Sequence, residues 1–221
     1  MKPIFEIQEL QHGNHVCLLY RSLTEQKNVL VSLLKEGIDR SELCLYIVDE
    51  QLEPELAKRL AADGIDLVRL QQEGTLQILN RYQTFLRYAR FDPVLMRELF
   101  ERLLEQTLAK KFTGLRVIAD MTWALVTGCD QLIAFEAMLN NHIPRWKMTQ
   151  VCQYNLERFA PPIILDVLRT HPVALLGEHI CPNFYSEPSE FVIGKANSAA
   201  RVKWMMNTLK KVSILGKACR H

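Results

Sequence analysis

The chain has 221 residues, of which 48% are hydrophobic and 24% charged; this composition suits one α/β domain with a sizeable core and excludes a disordered chain. No apolar run approaches the roughly 20 residues that cross a bilayer, and the N-terminus lacks a secretion-signal pattern, so we expect a cytoplasmic location. The net charge is +2, but seven of the 27 basic residues follow Glu190, the last acidic residue. The other 20 stand against 25 acidic residues, which argues against general nucleic-acid binding by the main domain.

Strand-like and helix-like segments alternate along the first half of the chain. Near-continuous apolar runs predict buried strands, and apolar residues spaced by three and four predict helices. In chain order, the pattern predicts a strand at 15–21, a helix at 24–38 ended by Gly37, a strand at 43–48, a helix from Pro54 to Gly64, and short strands at 67–70 and 76–79.

The second half continues this alternation. Asp92 followed by Pro93 predicts the start of a helix that runs to about Lys111, with four leucines facing inward: Leu95, Leu99, Leu103 and Leu104. There follow a strand at 115–121, a helix capped by Asp130, a strand at 149–154, a helix at 161–170 and a strand at 173–176. The whole pattern predicts a three-layer α/β fold with a mostly parallel sheet flanked by helices.

The C-terminal region is predicted to be separate from this domain. A boundary near 182–188 divides the chain into an α/β domain at 1–191 and a basic segment at 192–221. That segment contains an amphipathic helix at 196–212, with Val202, Met205, Met206 and Leu209 on its apolar side. The helix could contact nucleic acid, lipid or an acidic partner, or it could simply be solvated.

The sequence lacks the motifs of common catalytic sites. The connection after the first strand, residues 20–27, contains no glycine, whereas a phosphate loop needs glycines so that backbone N–H groups can approach the phosphates. Asp120 resembles the acidic residue of a Walker B strand, but without a phosphate loop it is predicted to be a polar pocket residue. A GxSxG elbow is also absent, and Cys152 is predicted to be a buried, inert thiol rather than a nucleophile paired with His15 or His171.

Several stretches, taken in order, resemble the MEDS domain, the methanogen/methylotroph DcmR sensory domain. They are HVCLLY at 15–20, the spacing of Glu25 and Gly37, LCLYIVDE at 43–50, LRVIADMTWAL at 115–125, the spacing of Asp130, Glu136 and Asn140, CQYNLERF at 152–159, LRTHP at 168–172 and PNFYSEP at 182–188. The resemblance implies a RecA/KaiC-like fold without a phosphate loop. It also implies a sensor of small, often hydrocarbon-derived molecules that signals to a histidine kinase or a transcription regulator.

The leading hypothesis is therefore a non-catalytic sensory domain without a cofactor, which binds a small molecule and a signalling partner and could form a homodimer. One alternative is a nucleotide-binding, RecA/KaiC-like ATPase. Another is a protein-interaction module that docks through the C-terminal helix.

Ligands of open parallel sheets gather beyond the carboxyl ends of the strands, which predicts a pocket there. The candidate ligand-binding residues are Tyr20, Arg21, Asp49, Asp120, Trp123, Glu136, Tyr154, Arg158 and His171. Other roles stay open for several of them. Trp123 and Tyr154 could be core residues, Arg158 could form an ion pair with Glu136 or Asp120, and His171 could cap the preceding helix.

Cysteine and histidine occur together in three neighbourhoods of the sequence: His15 with Cys17, Cys152 with His171, and His179 with Cys181. None of the six cysteines sits in a CxxC pair, so neither a disulfide framework nor a zinc site is indicated. His15 is interpreted as a strand residue that hydrogen-bonds to backbone. These neighbourhoods raise the alternative of a metal or haem site, but no ligand spacing supports it, so we expect no metal.

Overall fold

The computed structural model consists of a seven-stranded sheet between two layers of helices. It describes residues 6–218 apart from 53, 89, 178, 195 and 196, and the side chains of 56, 130 and 209–218 lie outside that description. The strands are β1 (His15–Tyr20), β2 (Leu43–Val48), β3 (Leu76–Asn80), β4 (Leu115–Asp120), β5 (Met148–Asn155), β6 (Val173–Leu176) and β7 (His179–Pro182). The helices are α1 (Leu23–Asp39), α2 (Pro54–Ala62), α3 (Leu67–Gln72), α4 (Pro93–Ala109), α5 (Ala124–Thr127), α6 (Asp130–Leu139), α7 (Pro161–Thr170), α8 (Ser189–Val192) and α9 (Ser198–Ala218).

The sheet order is β3-β2-β4-β5-β1-β6-β7, and every neighbouring pair is parallel except β6 and β7. Since a crossover between parallel strands needs a long connection, the intervening helices cover both faces of the sheet. The predicted mostly parallel α/β fold flanked by helices is confirmed.

The two faces of the sheet hold two separate halves of the core. All six residues of β1 are buried, and successive side chains point to opposite faces. Cys17 and Leu19 pack with residues of α4, α6 and α7, whereas Val16, Leu18 and Tyr20 pack with residues of α1, α2 and α3. Paired residues on neighbouring parallel strands share a face, so the register decides on which side each functional side chain lies.

Gly37 was predicted to end the first helix, and this is wrong, because α1 continues to Asp39. A Cβ at this position would lie 2.5 Å from Cys44 Sγ and 2.9 Å from Arg116 Nε. Glycine therefore permits the close approach of α1 to β2 and β4. A contact between distant parts of the chain, rather than helix termination, explains this residue.

Other details of the predicted local structure also differ from the observed fold. Residues 67–70 form part of α3 instead of a strand, because Asp66 caps that helix by accepting a hydrogen bond from Arg69 N at 3.0 Å. In α4, Leu95 is exposed, and Met96 and Phe100 face the core instead. Strand β7 was not predicted. The predicted cap Asp130 is the first residue of α6, and its side chain lies outside the described part of the structure.

The C-terminal helix α9 contacts the main body near its start. Arg201 donates hydrogen bonds to both carboxylate oxygens of Glu187, and the rings of Phe191 and Trp204 pack with their centroids 5.8 Å apart. Three of the predicted apolar residues are substantially exposed: Val202, Met205 and Met206. The predicted helix start at residue 196 and the side chain of Leu209 lie outside the described residues, and the predicted boundary at 191 stays a prediction.

No helix within the described part of the chain is long and apolar enough to span a membrane.

Candidate functional site

A pocket of about 290 Å³ lies at the carboxyl edge of the sheet, beside the first turns of α1. Residues at or just beyond the ends of β1, β2, β4 and β5 contribute to its wall, as does the start of α1. Four of them are predicted site residues: Tyr20, Asp49, Asp120 and Arg158. Because these strands are parallel, their carboxyl ends meet at one edge, as the sequence argument required.

The charge of Asp49 is compensated within the fold. Arg81, which follows β3, donates a hydrogen bond from Nη1 to Asp49 Oδ1 at 2.8 Å and pairs through Nη2 with Glu50. The Arg81 side chain is nearly buried, so this link holds the end of β2 to the end of β3. Asp49 thus lines the pocket as a partner of Arg81.

Asp120 and Thr122 bring polar atoms with unusual environments to the pocket. Asp120 Oδ1 accepts a hydrogen bond from Thr122 N at 2.9 Å. Burial raises the pKa of Asp120 above its ordinary value, and the hydrogen bond from Thr122 and the charge of Arg158 offset only part of that shift. The Thr122 side chain is almost fully buried beside this carboxylate. A bound molecule could hydrogen-bond to both groups.

The N-terminus of α1 is closed by its own side chains. Only Arg21 and Ser22 separate β1 from α1. Ser22 Oγ accepts a hydrogen bond from Glu25 N at 3.2 Å, and Glu25 Oε2 accepts one from Arg21 N at 2.8 Å. This is a variant of the capping box in which the second donor belongs to the residue before the cap. These contacts occupy backbone N–H groups at the place where a phosphate loop would present them to a nucleotide.

A cluster of polar side chains is buried on the opposite face of the sheet. Glu136 on α6 is at its centre and is fully buried. Its Oε2 lies 2.9 Å from His15 Nε2 and 3.5 Å from His171 Nε2, and its Oε1 accepts a hydrogen bond from the Tyr154 hydroxyl at 2.7 Å. Cys152 Sγ lies 3.7 Å from both His15 Nε2 and Glu136 Oε2.

The outer nitrogen of each histidine is held by an oxygen atom. Asn140 Nδ2 donates to Thr170 O, so its Oδ1 faces His15 Nδ1, which donates to it at 2.8 Å. His171 Nδ1 donates to Val167 O at 2.8 Å. His171 therefore caps the C-terminus of α7, which confirms one of its predicted roles. The prediction that His15 bonds to backbone is wrong, because both of its ring nitrogens meet side chains.

Burial has opposite consequences for the acidic and basic members of this buried cluster. Burial, followed by the charge of His15, lowers the pKa of His171 to about 3, so His171 is neutral near pH 7. Burial alone would raise the pKa of Glu136. The histidines and the Tyr154 hydroxyl lower that pKa by a larger amount, so the net shift is downward. Burial and the Glu136 carboxylate both raise the pKa of Cys152 and of Tyr154 well above their ordinary values.

Trp123 is a core residue, and the prediction that it forms a wall of the pocket is wrong. Its side chain is fully buried. The indole stacks on Phe85 with centroids 4.6 Å apart and 16° between the planes, and it packs against Phe91 at 4.5 Å. The chain turns at Met121 after β4, so the tryptophan enters the α4–α6 side of the core, whereas the pocket lies on the α1 side.

Comparison with known proteins identifies the family. The sequence profile of MEDS, the methanogen/methylotroph DcmR sensory domain, matches residues 14–172. The chain belongs to the MEDS family. The matched range of this MEDS domain contains both the carboxyl-edge pocket and the buried polar cluster.

Two individual proteins are similar to this MEDS domain. The transcriptional repressor DcmR from Methylorubrum extorquens is 25% identical over 172 residues, which are 74% of this chain and 60% of the repressor. The chain therefore spans about 60% of the length of that curated relative. The crystal structure of the flagellar accessory protein FlaH from Methanocaldococcus jannaschii has a TM-score of 0.52 at 12% identity, and the match covers 76% of this chain and 72% of FlaH. That likeness concerns the fold alone and confirms that the MEDS domain has a RecA-like architecture.

The structure places seven of the nine predicted site residues of the MEDS domain in the pocket or the buried cluster, whereas Arg21 and Trp123 belong to neither. Tyr20, Asp49, Asp120 and Arg158 line the pocket, while Arg21 is not one of its lining residues and pairs with Glu157 at 2.8 Å. Glu136, Tyr154 and His171 belong to the buried cluster, so the prediction that they join the pocket is wrong, as is an ion pair between Arg158 and Glu136. Ligand binding by the pocket itself stays a prediction.

Sequence reasoning missed several other pocket residues and two members of the cluster. Leu23, Lys27 and Thr122 line the pocket, and His15 and Cys152 join Glu136. The alternation of side chains along β1 could have signalled the division, because Tyr20 and Leu19 point to opposite faces and Leu19 is paired with Tyr154. The four donor groups of His15, Glu136, Cys152 and His171 lie within 4.8 Å of one another, a grouping that could hold a metal ion.

Proposed function

We propose that this MEDS domain is a non-catalytic sensor that binds a small molecule in the carboxyl-edge pocket and relays the binding to a signalling protein. The observation that carries the proposal is the pocket itself. It lies at the edge where ligands of open α/β sheets bind, and the buried Thr122 side chain and the Asp120 carboxylate bring polar atoms to its wall. Membership of a sensory-domain family supports the same conclusion.

The pocket favours a small ligand with polar and apolar parts. Its volume of about 290 Å³ is near the lower end of the range for small-molecule sites. Leu23, Tyr46 and Val48 give it apolar wall, while Asp120 and Thr122 give it hydrogen-bonding groups. A hydrocarbon-derived molecule with one or two polar atoms has this chemistry. Such a ligand would bury its carbon skeleton and satisfy the polar edge.

The capping box at the start of α1 supports a role without nucleotide hydrolysis. Ser22 and Glu25 occupy the N–H groups of Glu25 and Arg21, and the Glu25 carboxylate would repel a phosphate. A two-residue connection also leaves no loop to surround a triphosphate. The alternative of a RecA/KaiC-like ATPase is retained as an outcome of the test, because the pocket lies at the edge where such proteins bind nucleotide.

The signal would pass to a histidine kinase or a transcription regulator. The similar protein DcmR is named as a transcriptional repressor, which favours a transcriptional output. Val202, Met205 and Met206 are exposed on α9, and they would suit contact with a partner or with a second copy of the chain. Removal of residues 196–221 is expected to leave ligand binding intact and to abolish coupling to the partner.

A thermal-shift screen with matched arginine variants tests the proposal. A ligand at 100 times its Kd should stabilise the native state by about 2.7 kcal/mol. Arg158→Gln and Asp120→Asn are expected to reduce this shift, because both residues line the pocket. Arg21→Gln is the control, since Arg21 is equally part of the carboxyl edge but pairs with Glu157 outside the pocket.

Three outcomes would contradict the proposal. One is a ligand-induced shift that all three variants retain in full. Another is ATP hydrolysis that Asp120→Asn abolishes, which would favour the ATPase. The third is the absence of a shift with any small molecule together with tight binding to a protein, which would favour a pure interaction module.

A further inference from the structure

Four potential metal ligands converge inside the buried cluster although they come from distant parts of the sequence. His15 begins β1, Glu136 lies on α6, Cys152 lies on β5, and His171 follows α7. All four are fully or almost fully buried, and their donor atoms lie within 4.8 Å of one another. We propose that these four side chains bind a divalent transition-metal ion in a closed, four-coordinate site.

Three of the six distances between the donor atoms suit a tetrahedral site, and all six are within 4.8 Å. Metal bonds of about 2.0–2.3 Å place neighbouring ligand atoms of a tetrahedron about 3.3–3.8 Å apart. Cys152 Sγ lies 3.7 Å from both His15 Nε2 and Glu136 Oε2, and His171 Nε2 lies 3.5 Å from Glu136 Oε2. The 2.9 Å between His15 Nε2 and Glu136 Oε2 is shorter, and that pair would separate by about 0.5 Å around an ion.

The hydrogen bonds made by Nδ1 of His15 and of His171 orient both rings in the way that is usual for metal-binding histidines. A ligating histidine typically donates its other ring N–H to an oxygen atom, which fixes the tautomer and the ring direction. His15 Nδ1 does this to Asn140 Oδ1, and His171 Nδ1 does it to Val167 O. Each Nε2 is thereby directed towards the centre of the cluster. The Tyr154 hydroxyl holds the second oxygen of Glu136 in the same way.

Without a bound ion, His171 Nε2 lacks a hydrogen-bond partner within the described cluster. With the proton on Nδ1, this nitrogen presents a lone pair to Glu136 Oε2 at 3.5 Å. It is fully buried and has no hydrogen-bond partner within the described residues. Two electron-rich atoms therefore face each other without a proton or a cation between them. A metal ion at the centre would bind both and remove this unfavourable contact.

The charges and ligand types select the class of ion. A Cys152 thiolate and the Glu136 carboxylate would cancel the charge of a divalent cation, so the buried site would be neutral overall. Sulfur and imidazole ligands favour Zn²⁺ or a similar first-row transition metal over Mg²⁺ and Ca²⁺, which prefer oxygen. Four protein ligands leave no open position for a substrate, so the ion would link β1, β5, α6 and the end of α7.

Metal analysis of the full chain, with cobalt as a spectroscopic probe, tests this proposal. The purified protein is analysed for metal content and is then refolded from denaturant with Co²⁺, which lets the ion reach a buried site. About one transition-metal ion per chain is expected, and cobalt should give a thiolate-to-metal charge-transfer absorption. Cys152→Ala should abolish that absorption, whereas Cys44→Ala, which removes an equally buried thiol on the other face of the sheet, should preserve it.

A positioning variant and the wild-type protein supply the remaining evidence. Asn140→Ala removes the acceptor that orients His15 and should weaken Co²⁺ and Zn²⁺ binding by about 10–100-fold. A wild-type chain that contains no metal and shows no charge-transfer absorption after refolding with Co²⁺ would overturn the proposal, even where Cys152→Ala fails to fold. Cobalt absorption that survives in Cys152→Ala would overturn it too. Neither result affects the pocket on the other face of the sheet.

Discussion

Replacement of Trp123 by alanine distinguishes a core role from a ligand-binding role most clearly. The side chain is fully buried and stacks on Phe85 at 4.6 Å, so its removal leaves a cavity between aromatic rings that cannot easily collapse. Substitutions of this kind cost about 3–5 kcal/mol of unfolding free energy. Since small domains are stable by about 5–15 kcal/mol, the variant should lose a large part of its stability.

Urea unfolding followed by circular dichroism measures the effect without relying on tryptophan fluorescence. Trp123→Phe should cost less than the alanine variant, because it keeps most of the stacking and removes an indole Nε1 that has no hydrogen-bond partner in the described structure. Tyr185→Ala is the surface control, with an aromatic ring that is 74% exposed and an expected change of about 0.5 kcal/mol or less. A Trp123→Ala variant of normal stability that has lost its response to ligand would refute the core assignment.

Three further substitutions test other parts of the structure by the same unfolding assay. Glu42→Gln should cost about 3–5 kcal/mol, because it leaves the fully buried Arg116, which donates to Glu42 at 2.6 Å, without its counter-charge; an unchanged midpoint would contradict the pair's structural role. Gly37→Ala should cost about 1–3 kcal/mol, because the new Cβ would meet Cys44 Sγ at 2.5 Å; a gain in stability would show that the helix and the sheet separate without strain. Asp120→Asn should raise the unfolding free energy near pH 7 by about 0.5–2 kcal/mol. Burial raises the pKa of Asp120, so the wild type is penalised as pH rises through that pKa, and the gain should vanish below about pH 4. An equal gain at every pH would contradict this cause.

Most strands of the sheet could be predicted from the sequence, because buried parallel strands have near-continuous apolar runs. β2 was predicted with its observed bounds, Leu43–Val48. A four-residue, mostly apolar segment such as 67–70 fits a strand and a helix equally well, and the Asp66 cap decided between them. The role of Gly37 could not be predicted, because it depends on contacts with Cys44 and Arg116, far along the chain.

The candidate site was predicted in part for a similar physical reason. The rule that ligands bind at the carboxyl edge found Tyr20, Asp49, Asp120 and Arg158, since each lies near the end of a strand. It also selected residues on the face of the sheet that carries the buried cluster, because the position of a strand end does not show the direction of a side chain. The sheet register supplies that direction, because it pairs Tyr154 with Leu19 and so places it on the other face of the sheet from Tyr20.

The buried cluster was outside the reach of motif analysis. Its members are separated by up to 156 residues, and no two of them follow a metal-binding spacing. Only the assembly of β1, β5, α6 and α7 brings His15, Glu136, Cys152 and His171 together. The expectation of no metal rested on spacing alone, and spacing carries no information about ligands from four separate elements.

Native mass spectrometry of the freshly purified chain tests the proposed sensory function most directly. We expect one small molecule bound per chain, retained by Arg21→Gln and lost from Arg158→Gln, because only the second arginine lines the pocket. A bound nucleotide with magnesium, or a small molecule that both variants hold equally well, would contradict it.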